Sequence, residues 1–195
     1  VVCRRQRQMC IRDRNFYVYR LTMDGRTQTG IAGCCHFEEY YQGRIKKHEL
    51  TRVAKEEDRV NHVDALSANA EPVFFSYRTN EGIKSVIQQV ISESPVYDFI
   101  ADDRIRHELW VLDDPTKVSR LEKLFADVSC LYVADGHHRS AAASRVRNLH
   151  RDRNPEHSGE ESYNFFLVVL FPHDQMQILD YNRIIKDIGD KTTQE

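Results

Sequence analysis

The sequence predicts a mixed α/β (α+β) domain. Short apolar runs alternate with amphipathic stretches of helical period, strand pairs stand at both ends of the chain, and the longest apolar run, Phe165 to Phe171, has the length of a buried strand. Strands interleaved with helices but flanked by hairpins argue for a mixed sheet, not a purely parallel one. With 195 residues, 41% of them hydrophobic and 30% charged, the chain suffices for one well-buried core and is short for two. One domain is expected over residues 15–195.

The first fourteen residues, Val1 to Arg14, are set apart. They read as translated sequencing-adapter text, with no apolar central region and no cleavage site of a targeting peptide. They carry five arginines and one aspartate, so removing their +4 from the overall −2 leaves −6 from Asn15 onward. A mildly acidic body argues against a nucleic-acid partner, because such binding rests on clustered Lys and Arg. Both this start and the abrupt Lys191-Thr192-Thr193-Gln194-Glu195 end suggest a fragment of a longer protein.

Phe16–Leu21 and Thr29–Phe37 read as strands joined across Asp24-Gly25, a hairpin turn pair. Arg44–Leu50 leads into a helix over Arg52–Ala68, with Val53, Val60, Val63 and Leu66 at helical spacing and a Glu/Lys face toward solvent. Pro72–Tyr77 is a strand, and Glu81–Ile91 a helix with Ile83, Val86, Ile87, Val90 and Ile91 inward. Glu108–Leu112 is a strand, and Pro115 opens the next helix. Cys130–Ala134 is a buried strand followed by a helix over Ser140–Leu149, with Val146 and Leu149 inward. Arg151–Glu161 reads as a loop, and Tyr163–Phe171 and Met176–Asp180 as closing strands.

No apolar run reaches the roughly 18 residues needed to cross a bilayer, so no membrane partner is expected. Outside the leader the cysteines are Cys34, Cys35 and Cys130. None forms a C-x-x-C pair, which fits a cytoplasmic protein with reduced thiols.

The chemistry is concentrated between the Cys130 strand and the alanine-rich helix, in Asp135-Gly136-His137-His138-Arg139. Glycine lets a backbone approach a ligand, the N–H groups and dipole of a helix start favour an anion, and an arginine fork grips two oxygens. A bland alternative makes Asp135 a helix cap and Arg139 a solvated first-turn residue. Adjacent helical residues point about 100° apart, so His137 and His138 serve one ligand through their side chains only if the helix starts after them.

His48-Glu49 and His107-Glu108 both fail the metalloprotease pattern, since Arg52 and Val111 stand where a second histidine is required. A composite metal site of His48, His137 and His138 stays open. No Walker loop, G-x-G-x-x-G or Gly-x-Ser-x-Gly elbow is present, which disfavours the common nucleotide folds and the α/β hydrolases.

Together with Lys47-His48-Glu49-Leu50-Thr51, Lys55-Glu56-Glu57-Asp58-Arg59 and Ile178-Leu179-Asp180-Tyr181-Asn182-Arg183, this turn resembles the family known as domain of unknown function (DUF) 1015 over roughly residues 16–185. That family is related to the free-serine kinases and to the fold shared by ParB partition proteins and sulfiredoxin. The resemblance implies a ParB/sulfiredoxin-like domain that uses ATP or ADP with Mg and a small hydroxyl substrate. Glu49 would be the catalytic base, and Asp135 a catalytic and metal-binding carboxylate. Gly136, His137, His138 and Arg139 would bind phosphates, and His48 and Arg183 substrate. The alternatives are an exposed, inert Glu49 and a non-catalytic nucleotide-sensing or partner-binding module. The gap between the His-Glu pair and the Asp-Gly turn is longer than in the serine kinases, filled by an inserted strand and helix, so whether the two motifs face one another is left to the structure.

Overall fold

Asp24 and Gly25 both take positive φ, 51° and 78°, the backbone a two-residue hairpin needs for its twist to match that of the flanking strands. Strand β1 (Phe16–Met23) thereby turns directly into β2 (Arg26–His36), with Met23 opposite Arg26. The computed structural model describes residues 15–69, 71–180 and 182; the leader, Arg183 and the C-terminal residues lie outside that set.

After β2 come α1 (Phe37–Tyr41), β3 (Ile45–Lys46), α2 (Val53–Leu66), β4 (Val73–Tyr77) and α3 (Glu81–Ile91). Then follow β5 (Tyr97–Ile100), β6 (Arg106–Leu112), α4 (Pro115–Ala126), β7 (Leu131–Asp135), α5 (His137–Asp152) and β8 (Phe165–Pro172). Local chemistry fixes several starts. Asn80 Oδ1 accepts from the Gly82 and Ile83 N–H groups, and Asp114 Oδ1 from those of Thr116 and Lys117, with Pro115 occupying a position whose N–H has no intrahelical partner anyway.

The described strands form one eight-stranded mixed sheet in the order β3-β7-β4-β8-β2-β1-β6-β5. β3 with β7 and β4 with β8 are parallel, and the other pairs antiparallel. Helix α3 packs on α4 and on β1 and β6, while α5 packs on α2 and β4. The core gathers aromatic pairs: Phe37 stacks on Phe166 at 4.6 Å and Tyr77 meets Phe125 edge-on at 5.2 Å. Glu108 is buried and receives the Arg20 guanidinium in a two-pronged pair at 2.7 and 2.5 Å, so the charge is matched inside the sheet. No described helix is long and apolar enough to cross a membrane.

Several expectations are corrected. The closing hairpin is absent among the described residues, because Met176–Asp180 forms no strand. Gln175 takes its place beside the start of β2, its side chain accepting from the Thr29 N–H and its carbonyl from Gln28 Nε2. Of the four α2 residues expected inward, Val60 and Val63 pack with Ala142 and Val146 of α5, while Val53 and Leu66 are exposed. Leu149 is likewise exposed, leaving Val146 with Ala142 as the α5 contribution to that contact. Helix α5 begins at His137, three residues before the expected start, and runs into the expected loop as far as Asp152. The short elements α1, β3 and β5 were not anticipated.

Candidate functional site

Strand β7 delivers Asp135 to the sheet's end, and Gly136 turns the chain into α5 at φ 97°, a left-handed backbone that glycine adopts without strain. Gly136, not Asp135, is the N-cap, and no side chain among the described residues caps the first N–H groups of α5. The helix start therefore keeps the positive end of its dipole and unpaired donors, the features that favour an anion.

A cavity of about 350 Å³ opens at this helix start, lined by Glu49, Asp58, Arg59 and Asp135 through Arg139. The long segment between the two motifs, then, does not separate them: Glu49 and Asp135 border one space. Asp135 is mostly exposed. Its Oδ2 accepts from Arg139 Nη2 at 2.5 Å, and its Oδ1 has no partner among the described residues.

The two histidines diverge, as residues inside a helix must. His137 is 4% exposed; its Nε2 accepts a long 3.5 Å hydrogen bond from the His48 N–H, and its Nδ1 lies 3.6 Å from Glu49 Oε2. The ring of His48 packs edge-on against that of His137 at 4.4 Å. His138 Nε2 accepts from the Arg52 N–H at 3.2 Å, at the start of α2. The pair thus fastens the loop of residues 47–52 to α5 at two points. With Nε2 of His137 accepting, the proton of its neutral ring belongs on Nδ1, directed at Glu49. Burial pushes the His137 pKa below its ordinary 6.5, and His48 adds to that, against the opposite pull of Glu49 and Asp135.

Arg139 is spent largely on the protein. Nη1 donates to the Pro72 carbonyl at 2.5 Å, Nη2 to Asp135, and Glu71 lies 3.6 Å away. Arg139 also lines the cavity, where the resemblance expects it to meet phosphate. Sequence reasoning missed Asp58 and Arg59, which α2 brings to the rim; the Arg59 side chain has no ion pair or hydrogen bond among the described residues. Their run is one of the quoted motifs, but only the docking of α2 on α5 shows that this charged face meets the pocket.

No group of three or more His, Cys, Asp or Glu side chains among the described residues is arranged to hold a metal ion, so the composite site of His48, His137 and His138 is not formed. A carboxylate such as Asp135, with one oxygen unengaged, fits the lesser demand of magnesium, which takes one or two carboxylates together with substrate phosphates. Arg183, expected at the substrate, lies outside the described residues.

Fold and site together define a mixed α/β domain with a polar, concave pocket at an uncapped helix start. A family model described as "Protein of unknown function (DUF1015)" matches residues 5–195, and the chain belongs to that family. No curated protein and no solved structure matches it.

Proposed function

We propose that the pocket binds ATP or ADP with magnesium and passes the terminal phosphoryl group to a small hydroxyl compound such as free serine, in a domain of ParB/sulfiredoxin-like type. The observation that carries this reading is that Glu49 and Asp135 border one cavity at the N-terminus of α5. Phosphoryl transfer asks little covalent work of a protein. It needs a carboxylate to orient or deprotonate the acceptor and positive charge around the phosphate.

Glu49 accepts the acceptor's proton as the hydroxyl oxygen bonds to the terminal phosphorus, and the bridging oxygen leaves with the shortened nucleotide. His137 positions Glu49 through Nδ1. The N–H groups at the start of α5, with Arg59 at the rim, receive the phosphates. Asp135 would hold the magnesium ion, whose charge would offset that of the phosphate oxygens. The pocket needs it: three carboxylates, Glu49, Asp58 and Asp135, face two guanidiniums there. Binding should accordingly be weak without magnesium.

The rival reading is a non-catalytic nucleotide-sensing module. It is favoured by the exposure of the Glu49 side chain, 58%, which leaves that carboxylate well solvated. Incubating the full chain with each nucleotide, magnesium and serine, and assaying for phosphoserine, tests the proposal. A magnesium-dependent thermal shift without product would support the sensing module instead, and no shift with any nucleotide would remove both.

A further inference from the structure

Along α5, away from its N-terminus, lies a larger cavity of about 510 Å³ between that helix, the end of α2 and the start of β8. Its size falls within the roughly 300–1,000 Å³ of small-molecule sites. Ala143, Val146, Phe165 and Leu167 supply an apolar lining, and Arg147 a charge. Arg147 is 9% exposed, yet no carboxylate pairs with it among the described residues. Acids on the flanking elements are committed elsewhere. Asp64 holds His150 Nε2 at 2.9 Å, and Glu161 accepts from the Ser158 and Gly159 N–H groups, which lowers its pKa to about 2.

The guanidinium is also held in place. Nε donates to Asn164 Oδ1 at 3.0 Å and Nη1 to Asn148 Oδ1 at 3.1 Å, with its central carbon 5.5 Å from the Tyr41 ring centre. These bonds engage two of its five N–H groups, so the edge formed by Nη1 and Nη2 keeps donors for a two-pronged contact with an oxyanion. A buried, oriented cation without a counter-charge is costly unless an anion completes it.

We infer that this cavity is a second binding site, independent of the nucleotide reading, for a small molecule with a carboxylate on an apolar body. The carboxylate meets Arg147 and the apolar body lies along Ala143, Val146, Phe165 and Leu167.

Calorimetric titration of the full chain with 4-phenylbutyrate and octanoate, each beside its neutral amide, tests this. One carboxylate should bind per chain, at least tenfold more tightly than its amide, and ATP should not displace it. Arg147→Gln should weaken binding at least tenfold. Should that variant fail to fold, Ala143→Phe, which fills the apolar lining and leaves Arg147, should weaken it as much. Equal affinity for acid and amide, displacement by ATP, full affinity in Ala143→Phe, or no binding of either carboxylate would overturn the inference.

Discussion

His137 Nδ1 lies 3.6 Å from Glu49 Oε2, so a buried ring at the first turn of α5 reaches an exposed carboxylate on the loop before α2. The remaining ring nitrogen of His137 takes the neighbouring His48 N–H. One side chain thus both anchors the loop and stands beside the carboxylate, which makes its protonation state a matter of stability.

The first prediction concerns pH. The folded His137 pKa is lowered, first by burial and then by His48, whereas the unfolded ring titrates near 6.5. Between those values the unfolded chain binds the proton that the folded chain resists, so stability from this group is complete above 6.5 and falls as pH drops through the window. Protonation also removes the acceptor from the His48 N–H. Denaturant midpoints measured across that range should decline on acidification, and His137→Gln should give a flatter profile.

Arg139→Lys keeps the charge but cannot span the Pro72 carbonyl and Asp135 as the fork does. Urea denaturation should show a loss of about 1 kcal/mol, at the low end for charged hydrogen bonds because the guanidinium is partly exposed. Nucleotide affinity should respond more to Arg59→Ala, since the Arg59 side chain has no ion pair or hydrogen bond to surrender among the described residues. If Arg139→Lys lowers affinity with unchanged stability, Arg139 is a ligand-gripping group after all.

Gly136→Ala should destabilise the domain by about 1–3 kcal/mol, the usual range for a non-glycine residue held in a sparsely populated backbone region. Its φ of 97° suits glycine, and a Cβ there would come within 3.1 Å of Val73 Cγ1 and 3.3 Å of Arg139 Nε. The same methyl group intrudes on the helix start, so nucleotide binding should weaken beyond what the lost stability accounts for. An unchanged thermal midpoint would mean that the turn adopts another conformation.

Local chemistry was legible in the sequence wherever one residue decides a structure. Asp24-Gly25 announces its hairpin, Pro115 its helix start and Asp135-Gly136 its strand-to-helix turn. Features set by docking were not. β5 has all four residues exposed and is a strand only through its pairing with β6. Val53 and Leu66 keep helical spacing but lie outside the α2–α5 contact, which Val60 and Val63 supply with Ala142 and Val146. Nothing local to Asp58 and Arg59 says that α2 lays them beside Gly136. The bond of Arg139 to the Pro72 carbonyl was hidden for the same reason, since Pro72 is 67 positions away in sequence.

Glu49→Gln removes the proton acceptor while keeping the size of the side chain at the cavity mouth. Nucleotide affinity and phosphoserine formation should be measured on the variant and the parent chain side by side, with magnesium present. With Glu49 as base, nucleotide affinity should be unchanged and phosphorylation at least a hundredfold slower, the scale of a lost general base. Phosphorylation at the parent rate would contradict that role and take Glu49 out of the chemistry.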